Sequence, residues 1–164
     1  NMKPIVFLLL PLLAGVAPAL ANTANDLVAY PSGKTQTLAH QSTSVRIVNI
    51  WATWCAPCRK EMPAMSAWYQ KHANKKKVEL IGIALDHENN MAKFLKTTPV
   101  SYPIWRYTGK DSRAFMQTLG NQVGALPYTI VEAKGCRFKQ QITGEVNGKK
   151  LDDAILLLQQ QCSK

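Results

Sequence analysis

The feature that most constrains the fold is a pair of cysteines placed between a strand and a helix. The stretch Asn49–Pro63 reads NIWATWCAPCRKEMP, with two residues between Cys55 and Cys58. The β-branched run Val45–Ile50 predicts a buried strand that leads into this stretch. The composition of Arg59–His72 predicts a helix that leaves it. The cysteines are therefore expected at the end of a strand and the start of the next helix.

The remaining segments predict strands and helices in alternation. A hairpin is expected from Leu27–Tyr30 and Thr35–Leu38, which flank the turn cluster Pro31-Ser32-Gly33. Further strands are expected at Val78–Ala84, Tyr102–Trp105, Tyr128–Glu132 and Arg137–Thr143. Helices are expected at Glu88–Lys96, from the cap Asp111 to Leu119, and after the cap Asn147 over Lys149–Gln161. Alternating units favour a parallel sheet covered by helices, and the closing hairpin adds antiparallel edge strands.

The beginning of the chain has the pattern of a secretory signal peptide. After a short basic start, the apolar run Ile5–Ala21 ends in the A-x-A sequence Ala19-Leu20-Ala21. The alternative is a membrane anchor, but a spanning helix needs about 20 apolar residues, and Pro11 and Pro18 interrupt this run. We therefore expect cleavage after Ala21, a periplasmic location, and one folded domain over residues 22–164.

The composition makes the chain basic, with 20 Lys and Arg against 10 Asp and Glu and a net charge of +10. A basic surface suits anionic lipid headgroups or acidic proteins, or it serves solubility, which is the interpretation we favour. The run Lys75-Lys76-Lys77 is short, and no basic helix interleaved with aromatic residues follows the pattern of a nucleic-acid site. Nucleic acid is therefore not an expected partner.

The CxxC pair has three possible roles: a metal site, a structural crosslink or a redox pair. A structural zinc site needs four close ligands, but Cys136 and Cys162 form no second CxxC, and His40, His72 and His87 lack ligand spacing. No metal and no cofactor are therefore expected. A crosslink between residues three apart would close a very short loop and constrain little.

Redox exchange is the remaining role, and the local context favours it. Cys55 is expected at a helix N-terminus, where unpaired N–H groups and the helix dipole favour a thiolate. The thiolate is the attacking species in thiol-disulfide exchange. Cys58, one turn further along the helix, is expected to be more buried and to attack the resulting mixed disulfide.

The motif WCAPC at Trp54–Cys58, with a strand before it and Leu126-Pro127 far downstream, resembles the thioredoxin fold. The longer stretch VNIWATWCAPCRKEMP more narrowly resembles the exported TlpA/ResA-like thiol-disulfide oxidoreductases. The resemblance covers nearly all of residues 22–164, including Pro63 at the place of the thioredoxin helix kink. It implies an α/β, thioredoxin-like fold: a central mixed sheet flanked by helices, with an N-terminal β-hairpin and an extra element inserted between the central strands.

The resemblance also implies roles for individual residues. Cys55 would be the nucleophile and Cys58 the resolving thiol, with Pro127 as a cis-proline facing them. Substrate contacts would come from the backbone of Leu126 and from residues beside the cysteines, Trp54, Ala56 and Pro57. Trp54 would cover the disulfide, although an ordinary core position is the alternative.

Glu61 is a candidate proton acceptor. Cytoplasmic thioredoxin has a buried acid at the place of Asn49, which cannot exchange a proton, whereas TlpA/ResA-like proteins carry a glutamate at the position of Glu61. Glu61 lies three residues after Cys58, so the two share a helix face. A buried carboxyl group there would have a raised pKa and could accept the proton of Cys58. The alternative is a solvated glutamate in the first turn.

Cys136 and Cys162 are expected to form a structural disulfide. Cys136 lies at the tip of the closing hairpin, from which the last strand runs about 24 Å at ~3.4 Å per residue. The final helix packs back over about 20 Å at ~1.5 Å per residue, which returns Cys162 to the tip. Free thiols, or an intermolecular bond through Cys162, are the alternatives.

These features favour an exported, monomeric thiol-disulfide oxidoreductase that reduces disulfides of other exported proteins. The resemblance implies apocytochrome c, and hence cytochrome c maturation, as one substrate class, and a membrane thiol-disulfide electron donor as the partner that restores the dithiol. Alternatives are a disulfide-forming oxidase, although the inserted helical domain of DsbA-type oxidases is missing, and a copper-binding chaperone that uses the CxxC pair. A non-enzymatic scaffold is a further alternative.

Overall fold

The computed structural model describes residues 26–73 and 77–163. The predicted signal peptide and its cleavage site therefore lie outside the described residues, as does most of the lysine run. In chain order the elements are β1 (Leu27–Tyr30), β2 (Thr35–Gln36), β3 (Val45–Trp51), α1 (Ala56–Ala73), β4 (Val78–Ala84), α2 (Glu88–Thr97), β5 (Ile104–Tyr107), α3 (Ser112–Thr118), β6 (Tyr128–Ala133), β7 (Lys139–Thr143) and α4 (Gly148–Cys162).

The strands form one seven-stranded mixed sheet in the order β2-β1-β5-β4-β3-β6-β7. The central strands β3, β4 and β5 are parallel to one another. The N-terminal hairpin adds antiparallel strands at one edge through the pairing of β1 with β5. The closing hairpin of β6 and β7 adds antiparallel strands at the other edge, where β6 pairs with β3.

Both faces of the sheet are covered, which explains why the central strands are apolar without interruption. All seven residues of β3 are buried. Successive side chains of a strand point to opposite faces, so Ile47 and Trp51 pack on one face with α1 and α4, while Val48 and Ile50 pack on the other with Phe115 of α3. The CxxC pair belongs to the first of these two clusters.

The predicted elements all exist, and the differences lie at their ends. Strand β4 has the predicted bounds, while α1 begins at Ala56 rather than Arg59 because proline is tolerated in the first turn of a helix. Strand β5 begins and ends later than predicted because its pairing with β1 runs from Ile104 to Tyr107. Strand β2 is shorter than predicted because only Thr35 and Gln36 pair with β1.

Within residues 26–73 and 77–163, no helix combines the length and the apolar character needed to cross a lipid bilayer.

Candidate active site

The two cysteines of the motif lie where β3 ends and α1 begins. They form a disulfide with Cα atoms 5.3 Å apart. Cys55 directly precedes α1, and its carbonyl oxygen accepts the hydrogen bond of Arg59 N–H at 3.1 Å. Its Sγ accepts a hydrogen bond from the backbone N–H of Cys58 at 3.3 Å. Cys55 thus occupies the N-cap position of the helix, where the free N–H groups stabilise negative charge on the sulfur.

The two sulfurs differ less in exposure than the sequence suggests. Cys55 is 5% exposed and Cys58 is fully buried, so Cys58 is the more buried of the two, as expected, but Cys55 is itself almost completely covered. The reason is that Cys55 packs into the same core cluster as Trp51 and Cys58. The small exposed fraction that remains belongs to Cys55.

The residues beside the cysteines do face solvent. Ala56 and Pro57 are exposed, and Trp54 is 69% exposed, which excludes an ordinary core position for its indole ring. Trp54 also forms one wall of a cleft of about 580 Å³, whose other walls include Asn90, Arg106 and Lys110. Trp54, Ala56 and Pro57 therefore form an exposed surface next to the buried cysteine pair.

Asp86 fixes the loop that leads into the motif, a role that the sequence interpretation missed. Its Oδ2 accepts hydrogen bonds from the backbone N–H and the hydroxyl of Thr53, while Oδ1 accepts from His87 N–H and Asn90 Nδ2. Burial acts to raise the pKa of Asp86, but the hydrogen bonds from Thr53, Asn90 and His87 outweigh it and hold the pKa below its usual value. The sequence could have indicated this contact between Asp86 and Thr53. Asp86 lies just after β4, Thr53 lies just after the neighbouring strand β3, and parallel strands end at the same edge of a sheet.

Glu61 lies inside the protein, one helical turn beyond Cys58. It is 1% exposed. Its Oε1 accepts a hydrogen bond of 2.7 Å from Asn49 Nδ2, and its Oε2 accepts one of 2.8 Å from the backbone N–H of Val146. Burial raises the pKa of Glu61 to about 7, and the hydrogen bonds from Val146 and Asn49 offset part of that effect.

The position of Asn49 explains how a carboxyl group is accommodated there. Asn49 is fully buried on β3 and donates through Nδ2 to both Glu61 and Thr129 Oγ1. The structure therefore brings Glu61 against the strand position that carries the acid in cytoplasmic thioredoxin. The alternative of a solvated first-turn glutamate does not fit this burial.

The Leu126-Pro127 segment lies just before β6, the strand that pairs with β3. The peptide bond between Leu126 and Pro127 is cis. Leu126 packs against the cluster that contains both cysteines, and Pro127 O accepts a hydrogen bond from Gly144 N–H at 2.9 Å. Among the described residues, neither the N–H nor the C=O of Leu126 has a hydrogen-bond partner.

Cys136 and Cys162 form the second disulfide, with Cα atoms 5.6 Å apart. Cys162 is the last residue of α4 and lines a cavity with Ser44 and Val45, at the beginning of β3. The CxxC pair follows the end of that strand. The two disulfides therefore lie at opposite ends of the sheet.

Within the described part of the chain, no group of three or more His, Cys, Asp or Glu side chains is arranged to hold a metal ion.

Comparison with known proteins gives one family and several relatives. The AhpC/TSA family matches residues 17–135. The chain is 33% identical over 109 residues to the thiol-disulfide oxidoreductase ResA of Bacillus thuringiensis subsp. konkukian. The aligned region makes up 66% of this chain and 60% of the relative. It is 30% identical over 130 residues to ResA of Geobacillus thermodenitrificans, and this aligned region makes up 78% of this chain and 71% of that relative. The chain thus spans about 60% of the length of the Bacillus relative.

Solved structures show the same architecture. A thioredoxin-related protein from Neisseria meningitidis serogroup B is 57% identical, with a TM-score of 0.76 over 82% of this chain and 98% of that one. StoA from Bacillus subtilis is 16% identical, with a TM-score of 0.61 over 81% and 98% of the two chains, and shows similarity of fold alone. The predicted thioredoxin-like fold is confirmed.

Proposed function

The chain belongs to the AhpC/TSA family, among its TlpA/ResA-like members of thioredoxin fold, and on that premise we propose that it is an exported thiol-disulfide oxidoreductase. The resemblance drawn from the motif is thereby confirmed. We propose further that the enzyme reduces disulfides of other exported proteins by exchange at Cys55 and Cys58, with apocytochrome c as one substrate class.

The observation that carries this proposal is the combination of the disulfide at the start of α1 with a buried carboxyl group on the same helix. Cys55 occupies the N-cap position, which favours its thiolate. Cys58 and Glu61 are both buried and share one helix face. A carboxyl group with a pKa of about 7 is suited to exchanging a proton near neutral pH.

The first step is attack by Cys55. In the reduced enzyme the Cys55 thiolate attacks one sulfur of the substrate disulfide, so that a Cys55–substrate bond forms and the substrate S–S bond breaks. The released substrate thiolate then takes up a proton. The enzyme and the substrate are now linked by a mixed disulfide.

The second step uses Cys58 and Glu61. Cys58 gives its proton to the Glu61 carboxylate and attacks Cys55 Sγ, which forms the Cys55–Cys58 bond and releases the second substrate thiolate. The substrate has gained two electrons and the cysteine pair has lost them. A membrane thiol-disulfide donor would supply two electrons to restore the dithiol, because the compartment is oxidising.

Substrate binding is assigned to the exposed surface around the motif. Trp54, Ala56 and Pro57 face solvent beside Cys55. The free N–H and C=O of Leu126 can pair with an extended substrate segment, in the manner of a strand added to a sheet edge. Pro127 follows directly through a cis peptide bond, and the resemblance implies that it faces the cysteines.

The test is an insulin-reduction assay with dithiothreitol, together with the redox equilibrium of the Cys55–Cys58 pair against glutathione. We expect catalysis that is lost in Cys55→Ala but retained when Cys136 and Cys162 are replaced together by alanine. We expect a potential nearer the value of about −270 mV for thioredoxin than the value of about −120 mV for DsbA. A potential near the DsbA value would favour the disulfide-forming oxidase instead, and absence of exchange would reject both.

A further inference from the structure

Near Glu61, the central sheet carries no side chain at Gly82. Asn49 of β3 pairs with Gly82 of β4, and Gly82 pairs with Ile104 of β5. A Cβ atom on Gly82 would lie 3.0 Å from the ring of Tyr102 and 3.2 Å from Trp51 Nε1. The nearest atom to such a Cβ would be Ile104 Cδ1 at 2.9 Å, so the absence of a side chain at Gly82 is what allows the phenol ring and the indole nitrogen to lie this close to the same point.

Three buried polar atoms of residues next to Gly82 have no hydrogen-bond partner among the described residues: Asn49 Oδ1, Trp51 Nε1 and Tyr102 Oη. Asn49 and Trp51 are fully buried, and Tyr102 is 3% exposed. Asn49 and Trp51 are two residues apart on β3, so their side chains point to the same face of the sheet. Leaving buried polar groups of this kind unpaired is unfavourable, and one partner common to all three would satisfy them.

The three atoms have complementary chemistry. The indole nitrogen only donates, the amide oxygen only accepts, and the hydroxyl group does both. One water molecule can accept from Trp51, donate to Asn49 and bond to Tyr102, which gives it the usual three hydrogen bonds of a buried water.

This group of atoms adjoins Glu61. Asn49 uses its amide nitrogen to bond Glu61 Oε1 at 2.7 Å. Ser101, directly before Tyr102, bonds Ser66 of α1 through its backbone N–H at 2.8 Å and thereby holds Tyr102 against that helix. Burial raises the pKa of Tyr102, and the nearby charge of Glu61 raises it further.

We infer that Asn49, Trp51 and Tyr102 form a binding site for one buried water molecule, and that this water connects the Tyr102 hydroxyl to Glu61 through the side-chain amide of Asn49. Tyr102 is then a positioning residue that acts on Glu61 without touching the reacting sulfurs. Its role in exchange rests on the proposed function, whereas the water site and its effect on Glu61 do not.

The expected direction follows from the hydrogen bonds. The Glu61 carboxylate accepts from Asn49 and Val146. A hydrogen bond from the water to Asn49 Oδ1 polarises the amide, so that Asn49 Nδ2 becomes a stronger donor to the charged form of Glu61. The other charged groups that affect Glu61 are Glu145, which raises its pKa, and Lys150, which lowers it. Neither is changed by a substitution at Tyr102, and the two cysteines are uncharged in the disulfide form. Loss of the hydroxyl group should therefore move the Glu61 titration to higher pH.

The experiment is a carboxyl ¹³C NMR titration of the oxidised protein, with the Glu61 signal assigned from its loss in Glu61→Gln. Tyr102→Phe removes the hydroxyl group and keeps the ring. Tyr69→Phe is the matched control, because Tyr69 packs edge-on against Tyr102 with ring centroids 6.2 Å apart and is half-buried. We expect the Glu61 midpoint to rise by about half a unit in Tyr102→Phe, because a weaker hydrogen bond from Asn49 to the charged form raises a carboxyl pKa, and to stay in place in Tyr69→Phe.

A second variant and a second observable keep the inference open to rejection. Trp51→Phe removes the indole donor and should also raise the Glu61 midpoint. In the wild type, the Trp51 indole proton should show a magnetisation-transfer peak to a long-lived water that disappears in Tyr102→Phe. Unchanged midpoints in the folded variants, or equal shifts in Tyr102→Phe and Tyr69→Phe, would overturn the inference. Because the titration uses the oxidised protein, it gives its answer even if insulin reduction fails.

Discussion

At the scale of single residues, Glu61 shows why the fold matters to the chemistry. Its carboxyl group is removed from water, and its two oxygens accept hydrogen bonds from Asn49 and Val146. Burial favours the neutral form more than these two bonds favour the charged form, so the pKa is raised to about 7. Near neutral pH the group is then divided between a form that can accept a proton and one that can return it.

Replacing Glu61 with Gln should slow exchange mainly above neutral pH. At pH 8 the wild-type group is largely a carboxylate and can accept the proton of Cys58, which glutamine cannot do. We expect the exchange rate to fall by about tenfold at pH 8, which is less than the factor of about 10²–10⁴ usual for general base catalysis. At pH 6 we expect little difference. Stopped-flow exchange rates across pH test this, with the exposed Glu88→Gln as the control. Superimposable rate profiles for wild type and Glu61→Gln would leave Glu61 without a proton-transfer role.

Alkylation of the reduced protein should label Cys55 before Cys58. Cys55 lies at the N-cap of α1, where its thiolate is stabilised, and Cys58 is fully buried. With limiting iodoacetamide at neutral pH, mass spectrometry should find the label on Cys55. Prior labelling of Cys58 would reverse the assignment of nucleophile and resolving thiol.

At the scale of elements, α4 connects the second disulfide with the Glu61 site. Val146, which bonds Glu61, lies just before the Asn147 cap of α4. Cys162, the last residue of α4, is bonded to Cys136 in the turn between β6 and β7. The packing of this one helix therefore fixes both a partner of the buried carboxyl group and the closing hairpin.

Removing the second disulfide should destabilise the domain without abolishing exchange. The two cysteines are 26 residues apart, and the chain-entropy estimate for a loop of that size is about 3.5 kcal/mol. Urea unfolding of the Cys136→Ala/Cys162→Ala variant should show a loss of that order. The variant Cys55→Ala/Cys58→Ala is the control, because its bond spans 3 residues and should contribute less. An unchanged free energy of unfolding without Cys136 and Cys162 would contradict a stabilising role.

At the scale of the whole molecule, the two ends of the sheet have different tasks. The parallel strands β3 and β4 end beside the CxxC pair and Asp86, which positions the loop before it. The opposite end is fastened by the second disulfide. Under the proposed function, the Cys55–Cys58 bond can therefore form and break at one end of the sheet while the Cys136–Cys162 bond at the other end stays in place.

The stability of the oxidised protein should fall as pH rises from about 5 to about 7.5 because of Glu61. Its pKa is about 7 in the folded state against 4.5 for an ordinary glutamate, so the folded state binds more protons between these values. The stabilisation from this proton is full below pH 4.5 and is lost as pH passes the folded-state pKa, by up to about 3 kcal/mol. Urea unfolding at several pH values should show this slope in the wild type and a flatter one in Glu61→Gln. Parallel curves for the two proteins would exclude a raised pKa.

The sequence determined the order of elements, the thioredoxin-like fold and the position of the reactive pair. These depend on local patterns: alternating buried strands and amphipathic helices, and two cysteines at a strand–helix junction. Even the caps Asp111 and Asn147 were predictable, since a capping side chain bonds the backbone three residues along the chain.

The tertiary structure decided what surrounds the reactive pair. The burial of Glu61 depends on Val146, which is 85 residues away in the chain, and on Asn49 across the helix–sheet interface. The support of Thr53 by Asp86, the limited exposure of Cys55 and the exposure of Trp54 likewise follow from contacts between separate elements. Burial and hydrogen bonding between distant residues set proton affinity and access, and no local pattern in the sequence records them.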